Sequence, residues 1–379
     1  MRATGPDRSF RQDGSLVKKN PLLALAICAA VAGCTDRLPA DVLAPTLIEP
    51  VPGARTVQVY VATMRGRRTD RPYAFGASRA SELSFAAFDI SIPATHRPGQ
   101  IEWSAGPPDL ETDFVTTRQL ALPRRAFLDA LDGKNASVFI HGFNQSFQEA
   151  LFRSAQLGAD SYLGTKPILF SWPSEGRIAA YLADRDAADF ARDGLVETLT
   201  QLARTRPAGG QVRVLAHSMG ARVMMEALRQ LRLQGRTDVL DRLDVILAAP
   251  DIDVDVFRQQ AAVIGPMRAP ITVLVASDDR ALAVSSQLSA RRQRVGAIDL
   301  RDPRVQQAVS ASGMRVIDIS SVQTDSLAHS RFVDLIALYP QLQQSGKIAS
   351  PVAGARRVGA LVFDSVGMTF EGIGSILAD

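Results

Sequence analysis

A serine lies between a short apolar run and an amphipathic stretch in VRVLAHSMGARVMMEAL, residues 212–228. The apolar run predicts a strand and the following stretch predicts a helix, so Ser218 is expected at a turn with almost no loop. A turn this sharp needs small residues two positions before and two positions after the serine, and Ala216 and Gly220 meet that requirement. The turn would place the Ser218 hydroxyl at a helix N-terminus above the sheet, where it is a candidate nucleophile.

A serine hydroxyl is a weak nucleophile until a base removes its proton, and the chain contains four histidines. His217 adjoins the serine and is expected to point away from its oxygen. His141 opens the segment HGFN after an early strand, and His96 precedes the main alternation of strands and helices. These positions leave His329, in DSLAHSRFVDL after the last predicted strand, as the candidate base.

A carboxylate must accept the Nδ1–H of His329 and stabilise its imidazolium. Asp278 and Asp279 both follow the predicted strand ITVLVAS; we favour Asp279, which heads DRAL, with Asp278 as the alternative. Asp251 and Asp253, which follow the preceding strand, are less favoured candidates for this carboxylate. Several carboxylates at one edge also allow a metal site. No histidine lies at helical spacing from them, however, so no metal is predicted.

Acyl transfer also needs N–H groups directed at the developing oxyanion. Met219, next to the serine, is expected to supply one, and Phe143 or Asn144 in IHGFNQSF the other. Trp172 in FSWPSEG and His141 are candidates for the substrate pocket, with His141 shaping the turn. A tryptophan that is simply packed in the core fits the sequence equally well.

Short apolar runs alternate with helical stretches from about residue 56 onward, which predicts a mostly parallel sheet with helices on both faces. The predicted strands are TVQVYVATMR, LSFAAFDISIP, SVFIHGF, PILFSWP, VRVLAHS, DVILAAPD, ITVLVAS and MRVIDIS. In such sheets ligands bind beyond the carboxyl ends of the strands. The candidate serine, carboxylates and histidine all follow predicted strands, so the sheet would bring them to one edge.

The N-terminal residues predict an export signal. A pair of lysines precedes the apolar run PLLALAICAAVAGC, which is shorter than the roughly 20 residues that a membrane-spanning helix needs. Its end, VAGC, resembles the lipobox of bacterial lipoproteins, in which the chain is cleaved before a cysteine that then carries acyl chains. Residues 1–33 are therefore predicted to be a lipoprotein signal peptide and Cys34 the lipidated residue. Thr35, in place of the aspartate that retains lipoproteins in the inner membrane, favours the outer membrane of a bacterial cell envelope.

Composition and charge set further limits. The formal net charge is +4, but residues 1–33 carry much of the basic excess, so the mature chain would be close to neutral. No nucleic-acid partner is predicted, and RQLALPRR and SARRQR are interpreted as solvated helix and loop faces. Cleavage would remove Cys28 and leave Cys34 acylated, so no disulfide is expected. Residues 34–55, the lipidated cysteine and a proline-rich stretch, are interpreted as a tether.

Eight motifs follow one another along the chain: VYVATMRGR, FDISIPATHRPGQIEW, VFIHGFNQSFQEAL, FSWPSEG, VLAHSMGARVMMEAL, ILAAPDIDVDVF, VASDDRAL and AHSRFVDL. In this order they resemble a bacterial α/β-hydrolase subfamily of unknown function, often described as esterase/lipase-like, over about residues 56–340. The resemblance implies an α/β-hydrolase fold and acyl-enzyme chemistry by Ser218, Asp279 and His329, with no metal or organic cofactor. The chain order Ser…Asp…His agrees with that fold.

Together these observations predict a hydrolase domain at residues 56–345 and a C-terminal tail of unclear role at 346–379. The expected function is that of a lipid-anchored serine hydrolase, a carboxylesterase acting on a small-molecule or lipid ester or a thioester. An acyltransferase or amidase would use the same residues. The alternative from another class is a non-catalytic binding or scaffolding lipoprotein built on a hydrolase fold.

Overall fold

The computed structural model describes most of the chain. The described residues are 37–46, 51–71, 74–161, 164–207, 209–322 and 326–336. The predicted signal peptide, Cys34 and the C-terminal tail lie outside these ranges.

A mixed sheet of nine strands lies at the centre of the described part of the chain, in the order β3-β2-β1-β5-β4-β6-β7-β8-β9. Strands β1 to β3 pair in antiparallel fashion, β1 pairs in parallel with β5, and all later pairs are parallel. The predicted, mostly parallel sheet is therefore confirmed. The strands are β1 (Arg55–Arg67), β2 (Phe75–Ile92), β3 (Val115–Leu122), β4 (Ala136–Ile140), β5 (Lys166–Ser171), β6 (Val212–His217), β7 (Leu243–Ala248), β8 (Thr272–Val275) and β9 (Arg315–Asp318).

Helices cover both faces of the sheet. They are α1 (Arg124–Leu131), α2 (Phe147–Asp160), α3 (Tyr181–Arg204), α4 (Met219–Leu233), α5 (Thr237–Leu240), α6 (Val254–Ile264), α7 (Arg280–Leu288) and α8 (Pro303–Ser312), and residues 331–336 are also helical. Successive residues of β4 alternate between two buried clusters: Val138 and Ile140 pack with α3 and α4, whereas Phe139 packs with α2. Because strand side chains alternate in direction, a strand buried on both sides reads as a continuous apolar run.

Two segments differ from the sequence-based expectation. RQLALPRR was interpreted as a solvated helix or loop face, but Arg118–Leu122 belongs to edge strand β3, where the side chains alternate and Leu120 is exposed. An edge strand presents polar residues to solvent, so it lacks the apolar run that marks central strands. Within the predicted tether, residues Ala40–Leu43 form a 3-10 helix and Leu43 is fully buried, so this part packs on the domain.

His96 attaches the long β2–β3 connection, residues 93–114, to the end of α2. Its Nδ1 lies 2.7 Å from Glu102 Oε2 and its Nε2 lies 2.9 Å from Asp160 Oδ1. Burial of the imidazole lowers the pKa of His96, but the hydrogen bonds to Asp160 and Glu102 outweigh burial and raise its pKa above the ordinary value. The imidazolium therefore stabilises the folded state.

We predict that His96→Gln lowers the free energy of unfolding most strongly at acidic pH, by about 1.5–3 kcal/mol, the range for hydrogen bonds to charged groups. The folded-state pKa of His96 is raised, so its contribution is fully present below the unfolded pKa of about 6.5 and is lost as pH rises through the folded value. Urea denaturation of both proteins from about pH 5.5 to about pH 8.5 measures this. A difference that stays constant over that range would contradict the assignment.

Candidate functional site

Ser218 stands in a strained turn between β6 and α4. It is the N-cap residue of α4, with φ +52° and ψ −118°, and it is almost completely buried. A non-glycine residue in this region is held there by its surroundings. The Ser218 N–H donates to the carbonyl of Ala248 at 2.9 Å, and the Ser218 carbonyl accepts from the N–H groups of Ala221 and Asp251 at 3.0 and 3.2 Å.

Close backbone approach explains the small residues around the serine. A Cβ atom at Gly220 would lie 2.5 Å from the His141 carbonyl oxygen and 2.6 Å from that of Ile140. A Cβ atom at Gly142 would lie 3.0 Å from the Ser218 Cβ. The first turn of α4 therefore rests directly on the end of β4, and the loop after β4 lies beside the serine.

His329 and Asp279 are in direct contact, with Nδ1 of the histidine 2.7 Å from Oδ2 of the carboxylate. The Asp279 side chain is 1% exposed and that of His329 is 16% exposed. Asp279 is also the N-cap residue of α7, because its Oδ1 accepts the Leu282 N–H at 2.9 Å. One buried carboxylate thus caps a helix and holds the imidazole.

The neighbouring Asp278 has a different partner. Its two oxygens accept from the Arg331 guanidinium at 2.8 and 2.7 Å, and its side chain is 56% exposed. The hydrogen bond from Arg331 lowers the pKa of Asp278. The structure therefore brings Asp279, and not Asp278, to His329.

Asp251 and Asp253, the less favoured candidates for the acid, also have other partners. Asp251 accepts from the hydroxyls of Tyr181 at 3.0 Å and Ser285 at 2.5 Å, and it lies 3.2 Å from the Arg294 guanidinium. Asp253 caps α6 through the backbone N–H groups that follow it. These carboxylates fix helices and loops around the site.

His217 packs against the segment that carries His329. Its ring centroid lies 4.6 Å from those of His329 and Phe332, and its Nε2 lies 3.2 Å from the His329 carbonyl oxygen. A carbonyl can only accept, so Nε2 carries the proton. Burial and the nearby His329 lower the pKa of His217 well below its ordinary value, so it is neutral. His217 precedes Ser218 in the chain and contacts His329, so it connects the serine turn to the segment that carries the candidate base.

The loop between β4 and α2 carries the candidate oxyanion donors. Asn144 has φ +59°, and its N–H points to Asp184 Oδ2 at 3.5 Å. The N–H groups of Phe143 and Met219 make no hydrogen bond to any other described residue. The Phe143 ring packs edge-on against Tyr181 at 5.2 Å. This arrangement favours Phe143 over Asn144 as the partner of Met219.

Trp172 and His141, the candidates for the substrate pocket, are both fully buried. Their rings stack at 4.9 Å, and the Trp172 Nε1–H donates to the His141 carbonyl at 2.7 Å. Burial, together with the nearby Arg65, lowers the pKa of His141 to about 3, so the imidazole is neutral. The two residues thus join the segments that follow β4 and β5, and their role in a substrate pocket stays a prediction.

Arg65 is a buried polar residue that sequence reasoning missed. Arg65, in β1, is 1% exposed and donates to Ser171, Ser174, Gln145 and Gly76. It lies within VYVATMRGR, but an arginine in a strand is ordinarily expected at the surface. Only the tertiary structure shows where its guanidinium lies.

Among the described residues, no group of three or more His, Cys, Asp or Glu side chains is arranged to hold a metal ion. No helix among these residues is both long and apolar enough to cross a membrane.

Comparison with known proteins gives one match. A family model described as "Alpha/beta hydrolase of unknown function (DUF900)" matches residues 124–345, more than half of the chain. The matched region contains Ser218, Asp279 and His329, whereas β1 to β3 precede it. No curated protein matches the sequence.

We predict that Gly220→Ala lowers the free energy of unfolding by about 1–3 kcal/mol, the range for overpacking a tight contact. The added Cβ would collide with the two β4 carbonyls, which are backbone atoms and cannot rotate away. Gly76→Ala is the control, because its Cβ would meet its nearest neighbour, Arg68 Cγ, at an ordinary 3.5 Å. Equal destabilisation of the two variants in chemical denaturation would refute the contact.

Proposed function

Since the chain belongs to this family of α/β hydrolases, we propose that it is a serine hydrolase that works through an acyl-enzyme. The observation that carries the proposal is the 2.7 Å contact between Asp279 and His329, at the same sheet edge as the strained serine. The imidazole ring of His329 also lies 4.6 Å from that of His217, the residue next to the serine in the chain. Nucleophilic catalysis by a serine requires a base whose imidazole is held by a carboxylate.

In the proposed reaction the Ser218 Oγ attacks the substrate carbonyl carbon while His329 Nε2 takes the hydroxyl proton. Asp279 accepts the Nδ1–H, which holds the tautomer and stabilises the imidazolium. The carbonyl oxygen becomes an oxyanion, and collapse of the tetrahedral intermediate expels the alcohol or thiol, which receives the proton from His329. Water then attacks the acyl-enzyme by the same steps and releases the acid.

The N–H groups of Phe143 and Met219 are the proposed donors to the oxyanion. Neither N–H group donates a hydrogen bond to another described residue. Met219 also lies at the N-terminus of α4, where the helix dipole favours negative charge. Removing one such donor typically lowers kcat by about 10²–10³-fold. The proposed reaction class is carboxylic ester or thioester hydrolysis. Acyl transfer and amide hydrolysis are variants of it that differ in the acceptor or the leaving group.

We predict that a fluorophosphonate probe labels the full-length protein at Ser218. Ser218→Ala should abolish labelling, because the probe forms its bond to the serine oxygen. His329→Ala should lower the labelling rate by about 10⁴-fold or more, since the hydroxyl then lacks its base. Mass spectrometry of the labelled peptide identifies the modified residue.

Asp278 and Asp279 form a matched pair within this experiment. Asp279→Asn should slow labelling by about 10⁴-fold, because the amide favours the wrong histidine tautomer. Asp278→Asn should label at close to the wild-type rate, since this exposed side chain bonds Arg331 and not His329. Failure of a well-folded wild type to label would overturn the hydrolase proposal and favour a binding or scaffolding protein.

We further propose that the mature chain is anchored to a membrane through acyl chains on Cys34, with the outer membrane of a bacterial envelope as the favoured location. The support is the sequence VAGC, which lies outside the described residues. Two or more acyl chains bind a membrane stably, whereas one chain binds marginally. The substrate would then be an ester available at that surface.

The anchor predicts incorporation of an alkyne-tagged palmitate into the chain when it is expressed in a bacterial host. Cys34→Ser should abolish incorporation and leave an unprocessed precursor, because cleavage depends on the lipidated cysteine. Cys28→Ser is the matched control and should retain incorporation. Equal incorporation in the two variants, or none in the wild type, would refute the anchor.

A further inference from the structure

Arg65 is an unusual residue for a strand of this sheet, because its guanidinium is buried among neutral acceptors. Its Nε donates to the Ser171 hydroxyl at 2.8 Å. Its two terminal nitrogens donate to the carbonyls of Ser174 at 2.8 Å, Gly76 at 3.1 Å and Gln145 at 2.9 Å. Each of its nitrogens thus has an acceptor, and none of these acceptors is a carboxylate.

These contacts join three separate segments. Gln145 belongs to the loop between β4 and α2 that carries Phe143, Ser171 and Ser174 belong to the end of β5 and the loop after it, and Gly76 belongs to β2. A guanidinium presents its donors in a rigid planar fork, so the positions of its acceptors are fixed relative to one another. Arg65 therefore sets the distance between the Phe143 loop and the end of β5.

A buried carboxylate holds the same loop from another direction. Asp184, in α3, accepts from the Ser174 hydroxyl at 2.6 Å and from the Glu175 N–H at 2.7 Å, and the Asn144 N–H points to it at 3.5 Å. Burial raises the pKa of Asp184. Ser174 thus bonds both charges, its carbonyl to Arg65 and its hydroxyl to Asp184.

Arg65 and Asp184 each hold one backbone group on the C-terminal side of Phe143. The Asn144 N–H is directed to Asp184 and the Gln145 carbonyl is bonded to Arg65, whereas the Phe143 N–H has no described partner. We propose that Arg65 is the positioning residue of the oxyanion site: it fixes the turn that presents the Phe143 N–H and adds a buried positive charge behind it. This inference rests on the proposed serine-hydrolase function.

The charge adds to the geometry. In an interior of low dielectric constant a fixed cation stabilises a developing anion more strongly than it does in water. The titratable groups facing the guanidinium are Asp184, Glu149 and Glu175, which lie on or near three different elements, and His141 after β4. Burial lowers the pKa of Arg65 to about 10, so the guanidinium remains charged at neutral pH.

Arg65 also extends the site beyond the region that the family model matches. The match begins at residue 124, whereas Arg65 lies in β1 of the antiparallel part of the sheet. Through Arg65 and its contact with Gly76, β1 and β2 contribute to catalysis as well as to stability.

The test compares Arg65→Lys and Arg65→Gln with the matched variants Arg206→Lys and Arg206→Gln. Arg206 is also buried and also donates to backbone carbonyls, those of Leu202 and Leu131. Arg206 precedes the start of β6, whereas Ser218 follows the end of that strand. Arg206 therefore lies at the opposite end of the strands from the candidate site. For each full-length protein we would measure the Tm, the rate of fluorophosphonate labelling, and kcat and KM for a nitrophenyl ester.

We expect Arg65→Gln to lower kcat and the labelling rate by about 10²-fold with little change in KM, as for loss of one oxyanion donor. Arg65→Lys keeps a charge but loses the fork, so its loss should be smaller. A buried lysine loses its proton below its ordinary pKa of about 10.4, so the kcat of this variant should fall as pH rises from about 7 to about 9. Both Arg206 variants should change the Tm and leave kcat unchanged.

Three results would overturn the inference. They are wild-type kcat in folded Arg65→Gln, an equal loss of kcat in the Arg206 variants, and a pH profile of Arg65→Lys that parallels the wild type. Amide hydrogen exchange at residues 142–146 provides a readout independent of catalysis and should accelerate in Arg65→Lys but not in Arg206→Lys. A wild-type protein that does not label refutes the proposed function instead. If Arg65→Gln does not fold, the inference is tested by the pH profile of kcat and the amide hydrogen exchange of Arg65→Lys.

Discussion

The candidate site depends on the close contact between the first turn of α4 and the end of β4. Gly220 leaves no room for a side chain, because the β4 carbonyls lie where a Cβ would stand. The connection from β6 must therefore turn within one residue, and Ser218 takes a backbone conformation that non-glycine residues rarely adopt. The Ser218 N–H donates to Ala248 at the end of β7 and the Ser218 carbonyl accepts from Asp251, and these two hydrogen bonds hold the strained conformation. The candidate site is assembled around that turn.

Buried polar groups hold the other parts of the site, and the carboxylates of Asp279 and Asp251 each have more than one partner. Asp279 serves both the first turn of α7 and His329, while Asp251 joins Tyr181, Ser285 and Arg294. Burying a charge is unfavourable unless it is paired or well hydrogen-bonded, and removing one partner leaves the other uncompensated. Such networks therefore fix loop positions more tightly than apolar packing alone would. The Arg65 and Asp184 contacts around the Phe143 loop belong to the same class.

Most of the fold could be predicted because the central strands are buried on both faces and read as apolar runs. The prediction omitted β3 because an edge strand shows one face to solvent, so its sequence alternates and resembles a helix or loop. It also placed Trp172 and His141 at a pocket, since residues after parallel strands usually face the ligand edge. Their rings stack on each other in the interior, a contact set by side-chain torsions that a linear pattern does not contain, and the pocket role stays a prediction.

The sequence by itself determined the strand–turn–helix geometry around Ser218, because small residues at 216 and 220 and the change of hydrophobic period are local properties of the chain. It also singled out His329 as the candidate base, because this histidine follows the last strand. It did not determine which of two adjacent aspartates meets that histidine. Consecutive residues at a helix start point in different directions: Asp279 turns inward to cap α7 and contact His329, whereas Asp278 turns outward to Arg331. His329 and Arg331 lie on one segment, about 50 residues after the two aspartates in the chain. The packing of α7 against that segment decides which aspartate meets the histidine, and a local sequence pattern does not contain that packing.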